Sequence, residues 1–104
     1  MPAAARPLPA AEIGTALATL PGWSSEDDRL TRLYRLPSHL AAAAFVLHIA
    51  SVQEDMDHHA DLTLGYNTVE VATHTHSAGG KITALDVTLA RRVEDLSAAH
   101  GVRG

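Results

Sequence analysis

The feature that most constrains the fold is one long helical period flanked on both sides by shorter alternating segments. Ala42, Phe45, Val46, Ile49, Val52 and Met56 recur every three or four residues, the spacing that lines one face of an α-helix. Pro37-Ser38 precedes the run, and Ser38 reads as its N-cap, because a hydroxyl oxygen can accept a first-turn amide that has no partner within the helix. Such a stripe must bury itself against another element. Residues 23–25 and 30–36, around the acidic turn Glu26-Asp27-Asp28, predict a hairpin with Leu30, Tyr34 and Leu36 on one face. Arg32 falls on that apolar face and is expected to snorkel outward or to pair at an edge. Beyond the long helix, residues 62–64, the turn Gly65-Tyr66-Asn67 and residues 68–75, where Val69 and Val71 alternate with polar residues, predict two more strands. Period-two geometry would set His74 and His76 on one face with Glu70 and Ala72.

Two further helices close the ends. Ile13, Ala16, Leu17 and Leu20 keep helical spacing from Pro9 until Pro21-Gly22 stops them. Thr83-Ala84-Leu85-Asp86 is a capping-box pattern with Asp in place of Glu, opening a last helix with the stripe Leu85, Leu89, Val93 and Leu96. The order reads αββαββα. Residues 1–8, rich in Pro and Ala without a period, are expected to be a loose tail, and residues 9–100 to form a single domain.

Composition narrows the chemistry. A chain of 104 residues holds one domain, and its modest core leaves subunit association a way to add buried surface. There is no cysteine, which excludes disulfides, thiolate metal sites and Cys nucleophiles. Eight Lys and Arg against twelve Asp and Glu leave a net charge of -4, which argues against a nucleic-acid partner. The run from Leu40 to Leu47 is too short to span a bilayer, so no membrane association and a cytoplasmic location are expected. Seven histidines beside a single lysine are the anomaly, because imidazole titrates near neutral pH.

Four of those histidines lie in Asp57-His58-His59-Ala60-Asp61 and Thr73-His74-Thr75-His76, both at the ends of predicted elements. Histidine at a helix C-terminus also suits the macrodipole and needs no further reason. Two chemistries fit the cluster. His74 and His76, completed by His58, His59, Asp57 or Asp61, would resemble a zinc shell. Alternatively, imidazoles from two chain segments would serve one substrate by metal-free general acid–base catalysis, one giving a proton while another accepts. Spacing does not choose between them.

The run from Glu54 to Asp61, then Tyr66-Asn67, then Thr75-His76-Ser77-Ala78-Gly79-Gly80, then Thr83 and Asp86, resembles the pterin-4a-carbinolamine dehydratase family. The likeness extends upstream to Leu20-Pro21-Gly22-Trp23 and to the segment Leu30-x-Arg32-x-Tyr34-x-Leu36. It implies an α+β fold, a four-stranded antiparallel sheet with helices packed on one face, and a homodimer or homotetramer. The implied activity is a hydro-lyase reaction on a small-molecule pterin, 4a-hydroxytetrahydropterin, with no cofactor and no metal. His58 and His76 match the family's principal acid–base histidines and His59 the neighbouring pocket histidine. Asp57, Ala60, Thr75, Ser77, Ala78, Trp23 and Asp86 match substrate-side positions. Ala60 stands where Pro is usual, which is expected to loosen the turn after the histidine pair, and Leu62 where Trp is common. His74 replaces a usual Thr and reads as an exposed strand residue. One extra residue near Lys81 leaves Asp86 with two readings, a pocket-side carboxylate or a helix cap alone. Relatives on this fold that act as a transcription-factor cofactor or as carboxylase assembly factors make a non-catalytic binding module the alternative.

Overall fold

The computed structural model describes residues 6–102. Its elements run α1 (Ala10–Leu17), β1 (Ser24–Glu26), β2 (Arg29–Arg35), α2 (His39–Met56), β3 (Asp61–Leu64), β4 (Thr68–Thr73) and α3 (Ala84–Ser97), with 3-10 turns at His76–Ala78 and Ala98–His100. The fold is α+β. The strands form one antiparallel sheet in the order β1-β2-β4-β3, so the two hairpins meet through β2 and β4. Leu30, Arg32 and Tyr34 on β2 and Val69, Val71 and Thr73 on β4 point to the face covered by helices. Leu33 and Glu70 point to the opposite, open face. In the first hairpin both turn residues, Asp27 and Asp28, have positive φ (50° and 62°), as a two-residue turn matching strand twist requires.

Ser38 accepts the amide of Ala41 as N-cap, and α2 buries Ala42, Phe45, Ile49 and Val52 as its periodicity predicts, with Val46 and Met56 half-buried. The same face also buries Gln53, which its polarity hid. Helix α1 ends earlier than the pattern suggested, because Thr19 and Leu20 close tighter turns onto the carbonyls of Ala16 and Leu17. In α3 the buried stripe is Asp86, Leu89, Ala90 and Val93, while Leu85 is exposed, so a carboxylate takes the inward place expected for a leucine. Residues 1–5 of the expected tail lie outside the described residues. At its end Leu8 donates to the carbonyl of Ile82 and packs on the core.

Arg32 does not snorkel. It lies in an inner strand, 8% exposed, and donates from Nη1 to Glu94 Oε1 at 2.6 Å and to the Pro21 carbonyl at 2.9 Å. The same Glu94 oxygen accepts the Tyr34 hydroxyl at 2.7 Å and the Trp23 indole N–H at 3.2 Å. The guanidinium also stacks over the Tyr34 ring, 4.3 Å from its centre. Burial, then the hydrogen bond to Glu94, raises the Tyr34 phenol far above its ordinary value. Gly22 belongs to this arrangement: with φ of 87°, a Cβ there would meet the Arg32 guanidinium at 2.8 Å. Removing one partner of a buried ion pair strands the other. Glu94→Ala, which strands Arg32, Tyr34 and Trp23 together, is expected to cost about 3 kcal/mol and to lower the melting temperature by about 10 °C or more. Arg32→Met should cost less, since the half-buried Glu94 can turn to water; calorimetry of the two variants checks the order.

A second contact ties the C-terminal turn to α2. The rings of His48 and His100 face each other, Nδ1 to Nε2 at 2.8 Å, with His100 lying against Phe45. One nitrogen must donate and the other accept, so the two rings cannot both be imidazolium. Burial, and then the His48 charge, lower the His100 pKa from its ordinary value. Near the ordinary imidazole pKa, about 6.5, His100 therefore holds less proton in the folded chain than in the unfolded one, so its contribution to stability is full above that pH and is lost as pH falls through the lowered value. Between about pH 5 and about pH 7 the melting temperature should rise more steeply for the wild type than for His100→Ala.

Candidate active site

The end of α2 is built to present the histidine pair. The amide of Asp57 bonds the Glu54 carbonyl at 3.2 Å and that of His58 bonds the Gln53 carbonyl at 3.1 Å, the two bonds of a Schellman ending. That ending needs a left-handed residue after the cap. Asp57 supplies it with φ 51° and ψ 42°, a conformation that Asp tolerates better than most residues. The chain turns there, and successive imidazoles part: His58 is 8% exposed and directed inward, while the His59 side chain is 55% exposed with its Nε2 3.8 Å from Glu54.

Below His58 lies the fully buried Asp86. Its Oδ1 accepts from His58 Nε2 at 2.7 Å and from the Thr73 hydroxyl at 2.6 Å. Its Oδ2 accepts from the Thr75 hydroxyl at 2.8 Å and from the backbone amide of Thr83 at 2.9 Å. Four donors fill the four lone-pair positions of a carboxylate. The Thr75 proton being spent on Asp86, the 2.6 Å contact between Thr75 and Thr83 is donated by Thr83, whose oxygen in turn accepts the Leu85 amide. Asp86 thus caps α3 and holds His58 at once, so the cap reading and the site reading coexist in one residue.

The bond to Asp86 has a consequence for the imidazole. With Nε2–H donated, the neutral ring carries its lone pair on Nδ1. Among the described residues nothing hydrogen-bonds that atom, and no buried side-chain nitrogen or oxygen there lacks a partner, so Nδ1 reaches the surface. His58 is anchored at one nitrogen and open at the other.

Strand β4 ends at Thr73, two residues sooner than its pattern suggested, yet the alternation runs on: Thr73 and Thr75 are buried, whereas His74 and His76, like Glu70 and Ala72, are not. Thr73 and Thr75 are both drawn inward to Asp86, and the Thr75 amide bonds the Lys81 carbonyl at 2.9 Å instead of extending the ladder. His76 then opens a 3-10 turn with Ser77 and Ala78, closed by Gly79 and Gly80, both at positive φ. His76 and Ser77 are exposed and Ala78 half-exposed. The network therefore carries His76 as the residue next to Thr75. Ala60 is half-buried and donates its amide to the Gln53 side chain, while Asp57 is exposed. Trp23 lies with Arg32, Tyr34 and Glu94, its N–H committed to Glu94. Two concavities of about 370 and 360 Å³ lie elsewhere, one on the open face of the sheet lined by Glu26, Arg29 and Glu70, the other beside Arg6 and Glu12, and no histidine lines either. His58 is buried beside Asp86, while His59 and His76 are exposed. Among the described residues no group of three or more His, Asp and Glu converges as a metal shell would.

Sequence reasoning passed over Gln53 and the threonines 73 and 83 as parts of this site. The alternation that made Thr73 an inward strand position was legible, but its partner lay on another element.

The family model for pterin 4 alpha carbinolamine dehydratase matches residues 6–96. The chain belongs to that family. A Streptomyces coelicolor protein that carries the pterin-4-alpha-carbinolamine dehydratase name is 66% identical over 97 residues, covering 93% of this chain and 96% of its own. A Chloroflexus aurantiacus protein of the same name is 42% identical over 86 residues, covering 83% and 91%. In structure the family fold is shared with a transcriptional coactivator/pterin dehydratase from Brucella melitensis, at a TM-score of 0.83 and 31% identity over 88% of this chain and 98% of that one. A pterin dehydratase-like RuBisCO assembly factor of the alpha-carboxysome shares the fold at a TM-score of 0.58 and 18% identity, over 72% and 86%.

Asp86→Asn, which sets an amide donor against donors, is expected to cost about 2–4 kcal/mol, and Thr73→Val, which removes one of four bonds, about 1 kcal/mol. The shift of the urea midpoint measures both.

Proposed function

We propose that the chain is a hydro-lyase that dehydrates 4a-hydroxytetrahydropterin to quinonoid dihydropterin, in tetrahydropterin recycling. The observation that carries this reading is the His58–Asp86 pair: a buried carboxylate fixes the imidazole and leaves Nδ1 open at the surface, with His59 adjacent and His76 next to Thr75 of the same network. The reaction asks for that and little more. The proton on N5 leaves to a base, its bonding pair becomes the C4a–N5 double bond, and the C4a–O bond breaks as a proton reaches the hydroxyl. Water departs, and no redox group takes part.

In its neutral form His58 accepts at Nδ1, which suits the base, while the exposed rings of His59 and His76 are open to a ligand, which suits delivery of a proton to the hydroxyl. Asp86 and Thr75, both beneath the surface, act on a ligand through His58 and the backbone of His76, while Asp57, Ala60, Ser77 and Ala78 border the histidines. Membership of the family and the names of its relatives support the substrate class.

Decay of enzymatically generated 4a-hydroxytetrahydropterin, followed by ultraviolet absorbance, is the test. The wild type should accelerate it, and His58→Ala and His76→Ala should each lose about 10²–10⁴-fold. No acceleration by the wild type, or none lost in the variants, removes the reading. A stoichiometric protein partner co-purifying with a chain that has no activity would favour the binding module instead.

A further inference from the structure

We propose that Gln53 is the positioning residue of the histidine pair. The inference rests on the dehydratase reading only for its consequence on rate; its geometry stands without it. Gln53 is in the last turn of α2 and 6% exposed. Its main-chain carbonyl accepts the His58 amide at 3.1 Å, and its side-chain Oε1 accepts the Ala60 amide at 2.8 Å. One residue therefore grips the backbone on both sides of His59. Residues 58–60 belong to no helix or strand, so no ladder supplies a substitute for either bond.

The two imidazoles depend on this grip to different degrees. His58 has a second anchor, its ring bonded to Asp86 at 2.7 Å. Among the described residues the His59 side chain has only the 3.8 Å approach to Glu54, with both groups exposed, a contact of little energetic weight. The direction of the His59 ring is therefore set by its backbone, and the bond from Gln53 to Ala60 is what holds that backbone after the left-handed Asp57. Ala60 offers an N–H for the purpose. The turn that was expected to be loose at Ala60 is instead tied from inside the helix.

Gln53→Leu keeps the bulk of the side chain and deletes the accepting oxygen, whereas Gln53→Glu keeps an oxygen in place. A small displacement of an acting group costs rate more than binding. Gln53→Leu should lower kcat about tenfold or more with KM changed less than about threefold, and hydrogen exchange at the Ala60 amide should accelerate by about tenfold or more. Gln53→Glu should bring both back to within about threefold of wild type. On an Ala60→Pro background, which has no amide to hold, Gln53→Leu should change kcat by less than about twofold. Unaltered exchange at Ala60 in Gln53→Leu, or altered exchange with kcat intact, overturns the proposal. So does a full further loss on the Ala60→Pro background. Should Gln53→Leu fail to fold, Gln53→Met, of the same length and more adaptable, carries the same measurements. An inactive wild type overturns the dehydratase reading alone, and the Ala60 exchange rates then decide whether Gln53 holds the pair.

Discussion

A buried carboxylate is the constraint around which this small domain is arranged. Asp86 has no exposed surface, and an ion in such a place is stable only when its acceptor positions are filled. Filling them takes donors from three separate stretches: the loop after α2, the end of β4 and the cap of α3. The first turn of α3 therefore cannot shift without disturbing both the histidine turn and the strand end. Threonine suits positions 73 and 75, since its branched side chain favours extended backbone while its hydroxyl donates inward. The same bonds that close the fold at this end orient His58, so stability and site geometry share one set of atoms.

At the other end of α3, Glu94 does the complementary work. It gathers Arg32, Tyr34 and Trp23 at a single oxygen, and through Arg32 reaches the Pro21 carbonyl in the turn after α1. Aromatic packing runs on from there, Trp23 edge-on to Tyr34 and Tyr34 edge-on to Phe45 of α2. A core poor in aromatics thus concentrates them in one column. With Asp86 near one end and Glu94 near the other, α3 is registered on the sheet at two places, and neither end can slide without stranding a buried charge.

Much of this was legible in the chain, element by element. Ser38 and the capping box at Thr83 and Asp86 were readable because caps are local, and the order of helices and strands followed from period and turn residues. The roles of Arg32 and Asp86 were not readable to the same depth. Arg32 sits on a face whose period marks it as inward and Asp86 in a local cap, yet the partner that makes burial tolerable lies 62 and 28 residues away, and nothing local names it. The end of β4 was missed for a related reason: the alternation that leaves His74 and His76 off the buried face continues past Thr73, but Thr75 exchanges its ladder partner for Lys81, which no period announces. The family resemblance marked the histidines, but a resemblance assigns positions, not depth, and depth is what separates His58 from His59.

On the reaction proposed above, that separation would bear on the chemistry. A dehydration needs one group that accepts a proton and another that gives one, and two identical imidazoles in identical surroundings would be poorly suited to divide the work. The turn at Asp57 makes their surroundings unlike. His58, with Nε2–H held by Asp86, presents a fixed acceptor and loses little rotational freedom when a ligand arrives. In that proposed reaction the exposed His59 and His76 would stay in contact with water. The left-handed residue between helix and pair, which has its own conformational cost, is therefore the point at which backbone geometry is converted into a difference between two side chains of the same kind.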